Sequence, residues 1–141
     1  MEFKTIDDIQ IGERASFTKT VAESDIYLFA GITGDLNPAH VDAEYMKTTP
    51  FKQRIAHGVL TVGFISTVLG MKLPGPGALM LGVNVRFTAP VFIGDTITAQ
   101  VEAIEKDNAK NRLKLKTTCV NQIGKTVVDG EFLMSPYVKK S

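Results

Sequence analysis

The stretch HGVLTVGFISTVLG, residues 57–70, decides how the rest of the chain is arranged. It holds no Asp, Glu, Lys or Arg, and its apolar residues fall on every side of a helical wheel. A helix of that kind is buried in a core or spans a membrane. The uncharged window runs only from Ile55 to Met71 and carries Thr61, Ser66, Thr67 and three glycines. A membrane span needs about 20 predominantly apolar residues, so the pattern predicts a core helix. Gly63 costs roughly 1 kcal/mol relative to Ala inside a helix and is expected to admit another backbone. His57 and Gly58 stand at the N-terminal end, where unpaired N–H groups and the helix dipole favour an anion. The same helix is therefore both a core and a candidate oxyanion site.

The remaining bulk properties narrow the class. A chain of 141 residues is large enough for one domain with a real core, spanning 1–141. A net charge of +1 gives no reason to expect nucleic acid or a membrane surface as partner. The single cysteine, Cys119, has no internal disulfide partner, which suits a reducing cytoplasm. Cys119 falls in a strand-like alternation and reads as a buried thiol. The N-terminus, MEFKTIDDIQ, is acidic and lacks a continuous apolar run, so it does not read as a signal peptide.

Outward from the central helix, the chain divides by period. Residues 5–12 form an irregular lead-in, with a turn at Ile11-Gly12-Glu13, and Arg14–Thr20 alternates as a strand. Thr20 and Glu23 match the capping-box signature, so a helix is expected with Ala22, Ile26, Phe29 and Ala30 on one stripe. Gly31 or Gly34 should end it. Gly34-Asp35-Leu36-Asn37-Pro38-Ala39-His40 is expected to be an ordered loop, and Asp42 to cap a short helix over Ala43–Lys47. Leu73-Pro-Gly-Pro-Gly77 stops the central helix. After it the period becomes two. Leu79–Ala89 predicts a strand with one buried face, and Ile97, Ala99, Val101 and Ala103 mark a second. Leu113, Leu115, Thr117 and Cys119 mark a third, and residues 126–134 a last one. A strand, helical segments, a buried helix and an antiparallel meander make an α+β domain, its sheet curled around the helix. Open sheet edges then favour pairing across a dimer.

The chain has only two histidines, His40 and His57. Each alone reads first as a structural histidine or a loop hydrogen bond, and Asp35 alone as a turn or helix cap. The combination is more specific. Asp35 and His40 are five residues apart in a loop held by Gly34 and Pro38, so their side chains can converge on one water as a general acid–base pair. Asn37 reads either as a turn former before proline or as part of the site. Asp35, His40 and His57 offer a possible facial triad, yet no HExxH or CxxC spacing accompanies them, so no metal is expected. Neither a nucleophile elbow nor a phosphate or dinucleotide loop is present.

GDLNPAH at 34–40, IAHG at 55–58 and VRFTAPVFIGD at 85–95 resemble the MaoC-like hydratases of the hot-dog fold, in particular the (R)-specific enoyl-CoA hydratases. The fixed residues of G-D-x-N-P-x-H alone would match by chance on the order of once in millions of positions at average usage. The resemblance implies an antiparallel sheet wrapped around a long central helix and reversible addition of water to a trans-2-enoyl-CoA without a cofactor. By the same resemblance Asp35 and His40 activate the water and the Gly58 backbone N–H faces the thioester carbonyl. Asn37 orients the loop or the Asp35–His40 pair, and His57 sits at the helix start in a structural role beside the substrate. Arg86 is the nearest candidate for the CoA phosphates; Lys72, Lys114 and Lys116 are also basic, the last two reading as a solvated strand face. Two positions depart from the family pattern: Ala39 stands where a branched residue is usual, and Met46 where a small one is. Both are expected to reshape the acyl pocket. A hot-dog thioesterase recruiting Asp35, and a non-catalytic acyl-thioester-binding module, are the alternatives on the same scaffold.

Overall fold

The computed structural model describes all 141 residues. In chain order it contains β1 (Arg14–Thr20), α1 (Glu23–Thr33), α2 (Pro38–Val41), α3 (Ala43–Lys47), α4 (Gly58–Met71), β2 (Leu79–Phe87), β3 (Thr96–Asp107), β4 (Arg112–Val120) and β5 (Thr126–Ser135). The strands form one five-stranded sheet in the order β1-β3-β4-β5-β2, with every pairing antiparallel. Helix α4 lies across β3, β1 and β4. This is the expected α+β arrangement, a sheet wrapped on a central helix.

The alternation of the meander explains the packing. Along β3, Ile97, Ala99, Val101 and Ala103 are wholly buried, as are Leu113, Leu115, Thr117 and Cys119 along β4. Against them α4 presents Phe64, Ile65, Val68 and Leu69, all buried. Each such side chain contributes about 1.5–3 kcal/mol when fully buried. Burial pushes the Cys119 thiol up to about 12, so it packs as a neutral, unreactive group.

Five expectations change in detail. The wholly apolar helix is not covered all round in the single chain: Val59, Gly63 and Ser66, on one stripe, are exposed. Gly63 admits no neighbouring backbone, since a Cβ there would meet nothing within 4 Å. The close approach falls instead at Gly130 of β5, where a Cβ would stand 2.1 Å from the Asn84 carbonyl oxygen. Strand β2 does not bury one face. Leu79, Leu81, Val83 and Phe87 are all more than two-fifths exposed, because β2 pairs only with β5 and lies beyond the strands that α4 covers.

The predicted capping box also moves. Thr20 stays in β1, its hydroxyl 2.7 Å from that of Thr96, and backbone bonds between Val21 and the 94–95 turn prolong the extended chain. Helix α1 begins two residues later than that signature requires, with Asp25 accepting from the Ala22 N–H at 2.9 Å and from Lys19 at 2.6 Å. The freed Glu23 pairs with Arg54 instead. The helix ends at Gly34, whose φ of 84° is left-handed, and residues 38–41, expected as loop, form one helical turn. Asp42 caps α3 through the Tyr45 N–H, as expected.

Candidate active site

Glycine at position 34 lets the chain reverse out of α1 with little strain, and the next residues are locked by their own side chains. The Asp35 carboxylate accepts from the Asn37 N–H at 3.2 Å, and the Asn37 side chain caps α2 by accepting from the Ala39 N–H at 3.0 Å. Pro38 occupies the first helical position, where its missing N–H costs nothing. Asn37 therefore has a definite local role, holding the turn that carries the other two side chains.

That turn aims His40 inward. Its ring is buried, and Nδ1 lies 2.7 Å from the Ile55 carbonyl oxygen. A carbonyl can only accept, so Nδ1 carries the proton and neutral His40 keeps its lone pair on Nε2. The segment behind it is pinned on both sides, the Ile55 N–H donating to Ala39 and the Ala56 N–H to Val91. Asp35 itself is exposed. Even so, one carboxylate oxygen of Asp35 and one ring nitrogen each of His40 and His57 fall within 4.8 Å of one another. Distance alone would let this trio hold an ion. Two of the four ring nitrogens are already engaged, however: His40 Nδ1 on Ile55 and His57 Nε2, which donates to the Asp35 carbonyl oxygen at 3.0 Å.

Beside His40 opens a cavity of about 540 Å³, predominantly apolar, with Gly58, Thr61, Phe51, Phe87 and Val128 in its wall. Gly58 begins α4. His57, as N-cap, makes no side-chain capping bond, and no acidic residue lies in the first turn. The first N–H groups of this helix therefore keep free donors and a positive dipole end at the cavity wall. A Cβ at 58 would stand 2.7 Å from the Phe87 ring, so any larger residue there would have to push that half-exposed ring aside.

The structure thus brings Asp35, His40, His57 and Gly58 together, with Asn37 as the brace. It leaves Arg86 apart: exposed on β2, in register with Asp129, and not in the cavity wall. Neither Ala39 nor Met46 lines the cavity, and Met46 is buried. The apolar wall comes instead from Phe51, Phe87, Val127 and Val128, which sequence reading passed over. Their only signal was apolar character, near strand ends for Phe87, Val127 and Val128 and in the 48–54 connection for Phe51, shared with many core positions.

Comparison with known proteins agrees with this geometry. The family model described as MaoC like domain matches residues 8–126. The chain is 53% identical to the (R)-specific enoyl-CoA hydratase of Rhodospirillum rubrum over 125 residues, covering 89% of this chain and 86% of that one. It is 43% identical to the 3-hydroxybutyryl-CoA dehydratase of Methylorubrum extorquens, covering 91% and 81%. Among solved structures, the unliganded R-hydratase PhaJ1 of Pseudomonas aeruginosa superposes with a TM-score of 0.88 at 43% identity, covering 96% of this chain and 90% of that one. Sheet, helix and loop motif thus all lead to one assignment: the chain belongs to the MaoC-like family and has its hot-dog fold.

Proposed function

We propose that this protein is an (R)-specific enoyl-CoA hydratase, a hydro-lyase that reversibly adds water to a trans-2-enoyl-CoA to give an (R)-3-hydroxyacyl-CoA. The observation that carries the reading is His40, its Nε2 free of any hydrogen bond, in the wall of a cavity that also contains the uncapped start of α4, with a ring nitrogen of His40 and a carboxylate oxygen of Asp35 within 4.8 Å of each other. The same activity stands in the names of the Rhodospirillum rubrum and Aeromonas caviae relatives.

Water held between Asp35 and His40 bonds through oxygen to C3 of the acyl chain, and one of its protons passes to the pair. Charge moves onto the thioester oxygen, where the Gly58 N–H donates to it. The enolate then takes a proton at C2 from the same pair, so the sum is one water added and no group left on the protein. A positioned acid–base group contributes roughly 10²–10⁴-fold, and one preorganised oxyanion donor roughly 10²–10³-fold. The scheme uses no cofactor. The apolar wall fits an acyl chain, whose length preference then rests on Phe51, Phe87, Val127 and Val128.

The exposed β2 edge and the bare stripe of α4 also support a homodimer, in which a second copy covers apolar surface that a monomer leaves wet. No helix is long and apolar enough to cross a membrane, and the single free thiol fits a reducing cytoplasm. The direct test is incubation of purified protein with crotonyl-CoA. Loss of the conjugated thioester's absorbance with intact 3-hydroxybutyryl-CoA of R configuration is the expected result. Release of free CoA thiol would favour a thioesterase, and binding without turnover an acyl-thioester-binding module.

A further inference from the structure

His57 is 1% exposed, and its ring makes several independent contacts with the site. Its Nε2 donates to the Asp35 backbone carbonyl at 3.0 Å. Its ring centroid lies 3.9 Å from that of His40, tilted by 30°. On the other side it packs against Phe29 of α1, centroids 4.6 Å apart. It also directly precedes Gly58. One side chain thus touches both members of the candidate pair and adjoins the donor that faces the thioester.

The remaining nitrogen is informative. Nδ1 of His57 is buried and has no hydrogen-bond partner. With Nε2–H spent on a carbonyl, Nδ1 is the lone-pair side of a neutral ring, and a protonated ring would bury a second N–H with no acceptor. A residue serving only to fill space or cap α4 would not need this tautomer, and His57 makes no side-chain cap.

We infer that His57 is a positioning residue: its neutral ring, protonated at Nε2, fixes the Asp35 backbone so that the carboxylate meets His40 across the water. The inference rests on the hydration reading above. Asp35 is exposed and not walled in by packing, so its place is set by bonds: its own N–H to the Thr33 hydroxyl, the Asn37 N–H on its carboxylate and the His57 N–H on its carbonyl, of which only the last comes from a distant element.

The test compares His57→Phe, which keeps an aromatic ring but no donor, with His57→Gln, which restores a donor at the ε position. Both are measured with crotonyl-CoA alongside Asp35→Asn and His40→Gln. His57→Phe should lose roughly 10- to 100-fold in kcat with KM little changed, the scale of a misplacement of about 1 Å, and His57→Gln should recover most of it. Long-range ¹H–¹⁵N NMR of the unmutated protein should place the His57 proton on Nε2, a readout that needs no variant to fold. Full kcat in His57→Phe, a loss confined to KM, or a proton on Nδ1 overturns the positioning role. Full rate in both Asp35→Asn and His40→Gln overturns the hydration reading itself, with the NMR result still deciding the His57 bond.

Discussion

Two regions of this molecule are held in place by different physics. The meander β3–β4–β5 is held by burial: its inward side chains are at or near zero exposure, and its ladders run unbroken except at short irregularities. The segment 34–40 is held by polar bonds. Asp35 and Asn37 are exposed, and the turn depends on their side chains meeting nearby N–H groups. The contrast separates stability from chemistry. Polar bonds at a surface set direction with little burial, which suits groups that must reach a water; burial supplies free energy but little freedom to place a proton acceptor.

If that division holds, variants in the two regions should fail differently. The largest effect is expected for His40→Gln, with kcat lower by roughly 10²–10⁴-fold and a melting temperature near that of the parent protein; steady-state hydration and calorimetry check both halves. A matching loss of melting temperature would show that the site and the core are one unit. Leu115→Ala, in the wholly buried face of β4, should cost about 2–5 kcal/mol in urea unfolding while the folded fraction keeps its turnover. Gly130→Ala sharpens the core side further. Its methyl must displace the Asn84 carbonyl, an overpacking that typically costs about 1–3 kcal/mol and here belongs at or above the upper end. Gly63→Ala, with open space around it, is its control and should be neutral or mildly stabilising in the single chain.

A smaller effect belongs to the start of α1, where Lys19 of β1 meets Asp25. Burial pushes the Asp25 carboxyl up, but the Lys19 ammonium and the Ala22 N–H outweigh it and hold the group below its ordinary value of 3.8. A depressed carboxylate stabilises the fold above its unfolded value, and that contribution is lost as pH falls through the lower folded value. Asp25→Asn should therefore cost roughly 1 kcal/mol at neutral pH, with the difference shrinking as pH falls below about 4. Unfolding curves at several pH values read this directly; a difference independent of pH would assign the effect to helix propensity instead of charge.

The sequence alone determined the central helix, the meander and the loop motif. Each is written in local pattern: an uncharged apolar run, a period of two over successive segments, and glycine and proline at fixed offsets around Asp35 and His40. Gly34, Asn37 and Pro38 each act through the nearest few residues, so their roles were legible. Tertiary structure decided what depends on distant neighbours. Thr20 had a capping signature, but pairing with Thr96 kept it in the strand. Gly63 and Gly130 look alike as letters, and only the path of β2 past Asn84 makes the second indispensable. The alternation of β2 promised a buried face that its edge position withholds. His57 shows the limit most clearly: its bond to Asp35, 22 residues away, and its stack on His40 exist only because α1, the turn and α4 meet in space. Periodicity reports which side of an element is apolar; what that side faces is set by the chain folded around it.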